Sequence, residues 1–315
     1  MKVAALAGGV GGAKLAHGLD QVLPAGDLTV IVNTGDDFEY LGLRISPDLD
    51  TVMYTLAGLA DPEKGWGRAD ESWICLDTLR LLGGPTWFRL GDKDLALHLE
   101  RTRRLGQGET LTAITGDFCS TLGVRSTILP MSDERVATKV QTEGGELAFQ
   151  TYFVALRCEP EVRGFRFEGL DSAKPAAGVL EAIGEADLVV LCPSNPWVSL
   201  DPILAIEGVR SAVGQKPVVG VSPIIGGRAL KGPAAMMYQQ LGFEASALTV
   251  AEHYRSLLDG FVLDHADLEL ESQVQVLGLQ TCVTQTVMND YHDRRNLADT
   301  ILEFAQQIQE RMRST

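Results

Sequence analysis

Asp36, Asp37, Glu39, Asp48 and Asp50 place five carboxylates within the 18 residues that start at Asn33. The surrounding segment 33–58, NTGDDFEYLGLRISPDLDTVMYTLAG, is otherwise apolar and broken by Gly and Pro. A solvated charge run would mix in Lys and tolerate any spacing. These acids are mostly Asp, sit beside turn residues and follow an apolar strand. Short carboxylates on loops just past a strand's carboxyl end suit a hard divalent cation such as Mg2+, which takes one or two carboxylates and fills its shell with water and phosphate oxygens. The plainer alternative is capping, with Asp50 as N-cap of a helix from Val52 and Asp36–Asp37 in a turn. Four aspartates, Asp36, Asp37, Asp48 and Asp50, exceed what capping uses, so metal or substrate contact is expected of at least one.

A cation held this way implies phosphate, and three loops offer it. Gly8-Gly9-Val10-Gly11-Gly12-Ala13-Lys14 follows a first strand and opens a helix. Its amides can approach a diphosphate and Lys14 can partner one, although the pattern is neither GxxxxGK[ST] nor a clean GxGxxG. A tight turn with close helix–sheet packing is the alternative. Ser194-Asn195-Pro196 ends a buried strand; Asn195 can bond a base, ribose or phosphate, or simply cap the next turn. Ser222-Pro223-Ile224-Ile225-Gly226-Gly227, followed by Lys231, ends the next strand and adds donors, or is merely a Gly/Pro-rich loop. All three should open on one rim of the sheet, where open α/β folds bind ligands.

Trp66 and Trp87 lie in Gly/Pro-flanked loops where an aromatic ligand could stack, or where they could line a seam. Arg89, near Asp92, Lys93 and Asp94, could bind a polar ring edge or form surface ion pairs. His98 and Arg101 share one side of a helix. Neither a zinc pattern nor a Ser/His/Asp or Cys/His relay is evident. Five scattered cysteines without a CxxC read as reduced thiols of a cytoplasmic protein.

These groups need a scaffold. Continuous apolar runs at Val3–Ala7, Leu28–Asn33, Asp187–Cys192 and Pro217–Val221, with helical stretches between, predict a Rossmann-like, doubly wound α/β fold with a mostly parallel sheet. Short strands are expected at Phe261–Asp264 and Gln275–Leu277, single helices at Ile203–Val213 and Asn296–Arg311, and a hairpin over 136–153. The core is assigned to residues 1–54 and 166–315. Residues 55–165 are read as an inserted, helix-rich α/β cap over the rim, the whole forming one catalytic unit. The net charge of −15 disfavours nucleic acid, and no apolar run is long enough to span a membrane.

Gly8–Lys14, Asn33–Asp37, Gly42-Leu43, Ile45–Val52, Tyr54–Leu56, Gly65–Gly67, Leu90–Asp92 with His98, Leu129–Asp133, Ser194–Pro196 and Ser222–Gly226 together resemble the 2-phospho-L-lactate transferases of coenzyme F-420 biosynthesis. The resemblance spans nearly the whole chain, and the long Asp-rich motif is its specific part. It implies Mg2+-dependent transfer of a phospholactyl, phosphoenolpyruvyl or phosphoglyceryl group from a guanosine diphosphate adduct to the ribityl hydroxyl of the deazaflavin Fo, with release of GMP. It places an acid and a base that contact Fo on Asp50 and Arg89, and it suggests a homodimer. On this reading Gly8, Gly9, Gly11, Gly12 and Lys14 hold the diphosphate. Ser194, Asn195, Ser222, Gly226 and Gly227 hold the guanosine end, and Trp66 with Arg89 covers Fo. Asp36 and Asp50, with Asp37 or Asp48, hold the metal, and Asp50 or Asp36 takes the catalytic part. A sister group of nucleotide-sugar-binding regulators shares the Gly loop and sheet, which leaves a non-enzymatic regulator as the alternative.

Overall fold

Val3–Ala7 (β1) and Leu28–Val32 (β2) are short apolar runs buried almost throughout, as strands covered on both faces must be. In the computed structural model, which describes residues 1–229 and 233–314, they join β5 (Thr127–Pro130), β9 (Leu188–Leu191), β10 (Val218–Val221), β13 (Gly260–Asp264) and β14 (Gln280–Thr284). The seven strands form one parallel sheet of order β14-β13-β10-β9-β1-β2-β5. The chain winds outward from β1 through β2 to β5, then crosses back to β9 and winds the other way. The strand order therefore reverses between β1 and β9, the place where such sheets open a crevice at their carboxyl ends.

One face of the sheet is covered by α1 (Gly9–Val22), α2 (Pro47–Leu56) and the closing helix Tyr291–Ser314. Their Leu15, Leu19, Val52, Met53, Leu297 and Ile301 pack on Ala5, Val30 and Val190. The helices at 179–185, 201–205, 209–213 and 247–254 cover the other face around Leu6, Ile31, Val189 and Leu263.

The rim is built from what lies between β2 and β9. A hairpin, β3 (Phe38–Tyr40) and β4 (Leu43–Ile45), precedes α2, and then come α3 (Ile74–Leu81), α4 (Asp92–Gly106) and α5 (Leu111–Thr121). Beyond β5, the antiparallel strands β6 (Ala137–Thr142), β7 (Gly145–Ala148) and β8 (Gly164–Glu168) form a second sheet of order β7-β6-β8. A small hairpin, β11 (Ile224–Ile225) and β12 (Arg228–Ala229), follows β10.

The α/β class and the parallel core are as expected, and the hairpin expected over 136–153 forms over Ala137–Ala148, its second arm giving way to a helical turn at Thr151–Ala155. Three details differ. β5 falls inside the 55–165 stretch read as an insertion, yet pairs with β2 in the main sheet. It is only four residues long and ends on Pro130, which hides its strand character. Gln275–Leu277 is not a strand: Glu271–Val276 is helical, and the edge strand starts four residues later at Gln280. The expected helix Ile203–Val213 is two short ones, Asp201–Ala205 and Val209–Val213, parted at Gly208 with φ +81°. Lys231 lies outside the described residues.

Candidate active site

β1 ends at Ala7, and α1 begins two residues later. The Gly8 amide donates to Ser194 Oγ at 3.1 Å, and Ser194 Oγ donates back to the Gly8 carbonyl at 2.8 Å. The tips of β1 and β9 are thereby joined at the switch point. A Cβ on Gly11 would meet the Pro193 carbonyl oxygen at 2.3 Å, and one on Gly12 would meet Ser194 Oγ at 2.6 Å. These two glycines let α1 press against the β9 loop. Gly9 differs: its φ is +64°, and a Cβ there would meet nothing within 4 Å. The Gly9 amide donates to Asp48 Oδ1 at 2.8 Å, so a carboxylate sits where the start of α1 favours an anion. Lys14 donates to the Met288 carbonyl at 2.6 Å.

Past β2, the buried Asn33 organises the acidic segment. Its Nδ2 lies 3.1 Å from Asp36 Oδ1, 2.9 Å from Asp48 Oδ2 and 3.1 Å from the Val198 carbonyl, while its Oδ1 takes the Gly35 amide at 2.8 Å. Gln150 donates to Asp36 Oδ2 at 2.9 Å. Asp36 and Asp48 are thus gathered around one amide beside the Gly8–Gly9 turn. Burial, and then the charges of Asp48 and Asp37, push the Asp36 carboxyl well above its ordinary range. Burial raises Asp48 to about 6, against the bonds from Asn33 and Gly9. Asp37 is raised to about 8 by burial, against the Ser46 hydroxyl that donates to its Oδ2 at 2.6 Å. Its Oδ1 is buried without a hydrogen-bond partner.

Two buried carboxylates, Asp36 and Asp48, brought to one amide offer oxygen donors that suit a hard divalent cation. The cation would relieve the repulsion that now favours protons. Asp36 and Asp48, which meet at the Asn33 amide, are the carboxylates that could hold it there; among the described residues the group of three whose ligand atoms lie within 4.8 Å of one another is Asp50, Asp94 and His98.

Asp50 belongs to a second group. The N-cap of α2 is Ser46, and Asp50 lies inside the first turn of the helix rather than capping it. Arg101 of α4, only 1% exposed, grips both its oxygens: Nη1 reaches Oδ2 at 3.1 Å, and Nη2 bonds Oδ1. Arg101 Nη1 also lies 3.2 Å from His98 Nδ1. Since a guanidinium only donates, Nδ1 accepts, and Nε2 carries the proton of the neutral imidazole. His98 Nε2 lies 3.3 Å from Asp94 Oδ1, which also accepts from the Tyr54 hydroxyl at 2.7 Å.

Asp94 borders an open cleft lined by Lys64, Trp66, Arg68, Trp73 and Arg89. The Arg89 guanidinium sits over the Trp73 ring at 4.4 Å, and Trp66 is 42% exposed. Trp66 and Arg89 therefore share one cleft. Trp87 packs with Phe38, Tyr40 and Phe88 in a small aromatic core instead.

The remaining loops lie at the same rim with local bonds. Asn195 accepts from the Trp197 amide at 3.1 Å, the capping alternative, with its Nδ2 at 3.4 Å from the Met237 sulfur. Ser222 Oγ donates to the Ile224 carbonyl at 2.7 Å. The Gly226 amide donates to Asp267 at 3.0 Å, and Gly227 completes the β11–β12 turn at φ +73°. Sequence reasoning missed Asn33 and Gln150 as organisers, and Asp94, Tyr54 and Trp73 as parts of the site. Only the shared helix side of His98 and Arg101 hinted at the buried row.

The sequence profile of the family described as 2-phospho-L-lactate transferase CofD matches residues 3–301. A phosphoenolpyruvate transferase of Streptomyces griseus is 44% identical over 316 residues, covering 98% of this chain and 99% of that protein. A 2-phospho-L-lactate transferase of Methanothermobacter thermautotrophicus is 39% identical over 300 residues, covering 95% and 97%. Among solved structures, protein BH3568 of Bacillus halodurans aligns with a TM-score of 0.64 at 18% identity, over 96% of this chain and 99% of that one, a likeness of fold. With strand tips, acidic cluster and full-length relatives in agreement, the chain belongs to the 2-phospho-L-lactate transferase CofD family.

Proposed function

We propose that the protein transfers a phosphate-linked organic acid from a guanosine diphosphate adduct to the ribityl hydroxyl of the deazaflavin Fo, releasing GMP, in coenzyme F-420 biosynthesis. The observation that carries this reading is the gathering of Asp36 and Asp48 on Asn33 beside the Gly8–Gly9 turn, at the point where the strand order reverses. The enolpyruvyl donor is favoured, because the phosphoenolpyruvate transferase of Streptomyces griseus is more similar than the 2-phospho-L-lactate transferase of Methanothermobacter thermautotrophicus.

In this reaction the Fo hydroxyl oxygen attacks the phosphorus that bears the organic acid, and the bond to the GMP phosphate oxygen breaks. Such transfer depends mostly on positioning and charge neutralisation. Asp36 and Asp48 would hold Mg2+, which when bound offsets the diphosphate charge. The Gly8–Gly12 segment and Lys14 border the diphosphate. Ser194, Asn195, Ser222, Gly226 and Gly227 border the guanosine, and Trp66 with Arg89 flanks the flat ring.

The hydroxyl proton passes to a carboxylate, Asp36 or Asp50. Asp50 would first have to leave Arg101, and Asp36 would have to be ionised and keep one oxygen free of the metal. A homodimer is part of the reading. The outer side of α3, with Ile74, Leu81 and Leu82 at 72%, 88% and 80% exposure, is where light scattering on a Leu81→Glu variant would test it.

The test of the reaction is incubation with Fo, Mg2+ and each of the three guanosine donors, followed by product mass. Absence of any phospho-adduct of Fo with all three ends the proposal. Stabilisation against heat by a UDP-sugar, but by neither Fo nor GDP, would favour the regulator alternative.

A further inference from the structure

The cleft beside α3 holds one acceptor that its own surroundings leave unengaged. Of its two carboxylates, Glu71 is fully used: Oε1 takes the Asp94 amide at 2.8 Å and Oε2 the Lys93 amide at 2.9 Å, closing the start of α4. Asp94 is held by one oxygen only. Its Oδ1 accepts from Tyr54 and faces His98 Nε2, while among the described residues Oδ2 takes no hydrogen bond. Burial raises the Asp94 carboxyl, but the His98 and Tyr54 contacts and the Arg101 charge outweigh it and leave it below its usual range. The group is therefore ionised at neutral pH. An ionised carboxylate with a spare oxygen, among two tryptophans and three cationic side chains, asks for a ligand that supplies a donor.

We propose that Asp94 is a specificity-determining residue of this cleft, accepting a hydrogen bond through Oδ2 from an N–H or O–H donor of a planar ring ligand held against Trp66 and Trp73. Tyr54, His98 and Arg101 are its positioning residues. They form a buried row that fixes Oδ1 and leads back to Asp50, so that the cleft and the aspartate of α2 are tied through side chains. Arg89 and Arg68 meet acceptor atoms of the same ligand. The inference rests on the deazaflavin reading of the cleft and adds to it the one group there that rejects a ring without a donor. A buried charged acceptor left without its donor discriminates strongly, whereas stacking alone does not.

The test is titration of Fo fluorescence with the wild type and with Asp94→Asn and Asp94→Ala, the fold of each being checked by its urea midpoint. Two analogues distinguish the source of the donor: a deazaflavin methylated at its ring N–H, and one lacking the side-chain hydroxyls. Asp94→Asn is expected to weaken Fo binding by about tenfold or more, the usual loss of a hydrogen bond to a charged group. For at least one analogue, the penalty seen with the wild type should vanish in Asp94→Ala, a pattern that a merely structural residue would not produce. Equal binding of Fo by the wild type and Asp94→Asn overturns the proposal. So do analogue penalties that survive unchanged in Asp94→Ala. If the wild type itself binds no Fo, the deazaflavin reading falls, and this inference with it.

Discussion

Arg101→Met removes the guanidinium that neutralises Asp50 and leaves its carboxylate buried. The pair is 1% and 5% exposed, and both oxygens of Asp50 are bonded to Arg101. Breaking a buried pair by removing one partner costs about 3–5 kcal/mol, because the survivor keeps its desolvation without its attraction. Asp37 and Asp94 lie within electrostatic reach of Arg101, which places the expected loss at the upper end of that range. Asp50→Leu should be costly for the same reason, since Arg101 would stay buried. The double variant, Arg101→Met with Asp50→Leu, replaces the pair by apolar groups of similar volume. Such exchanges are often neutral or stabilising, so the double variant should lie about 3 kcal/mol or more above the sum of the single losses. Urea denaturation, with midpoints and slopes compared across the four proteins, measures the cycle. A loss below about 1 kcal/mol for Arg101→Met would mean that water reaches Asp50, as at an exposed pair. Simple additivity would mean that Arg101 acts through Asp37 and His98 rather than through Asp50.

Other expectations concern pH, packing and metal. His17 is buried and lowered to about 4, by desolvation first and then by the Arg294 charge, so it folds neutral. Its stability contribution is full above pH 6.5 and is lost as pH falls from there to about 4, up to ~3 kcal/mol; His17→Gln should flatten that limb of a pH series of urea midpoints. Gly11→Ala should destabilise by about 1–3 kcal/mol in the same assay, because its Cβ would meet a carbonyl oxygen at 2.3 Å. The raised Asp48 carboxyl adds stability below its unfolded pKa that is lost as pH rises through about 6. Added Mg2+ should therefore raise the melting temperature more near pH 8 than near pH 5, and Asp36→Asn with Asp48→Asn should abolish that difference.

The central strands were legible because each is a mostly apolar run that ends at a loop carrying Gly or Pro. β1, β2, β9 and β10 all have that form, and their loops carry the glycines and hydroxyls that reach the rim. β14 was misplaced because its five residues are all half-buried and alternate weakly, so the neighbouring helix end read as the strand. The acidic motif was legible as a cluster, yet its partition was not. Which carboxylates gather on Asn33 and which is gripped by Arg101 depends on contacts between residues 15 and 51 positions apart. Gln150 reaches Asp36 across 114 positions and Ser194 reaches Gly8 across 186. Such pairings are set by the packing of whole elements, and nothing local to Gln150 or Asn33 announces them.

The position of β1 has a consequence for synthesis. Its flank towards β2 is filled within a few dozen residues, but Ala5 pairs with Val190 on the other side, 185 positions later. At roughly 5–20 residues per second on the ribosome, the nascent chain waits roughly 10–40 s with the open edge of its first strand uncovered. During that interval the hydrogen-bonding groups of a wholly apolar segment face whatever comes near, which is the condition under which strands pair wrongly between chains. A chaperone that shields the first half of the polypeptide until residue 191 has emerged should therefore raise the yield of native protein more than one supplied after release.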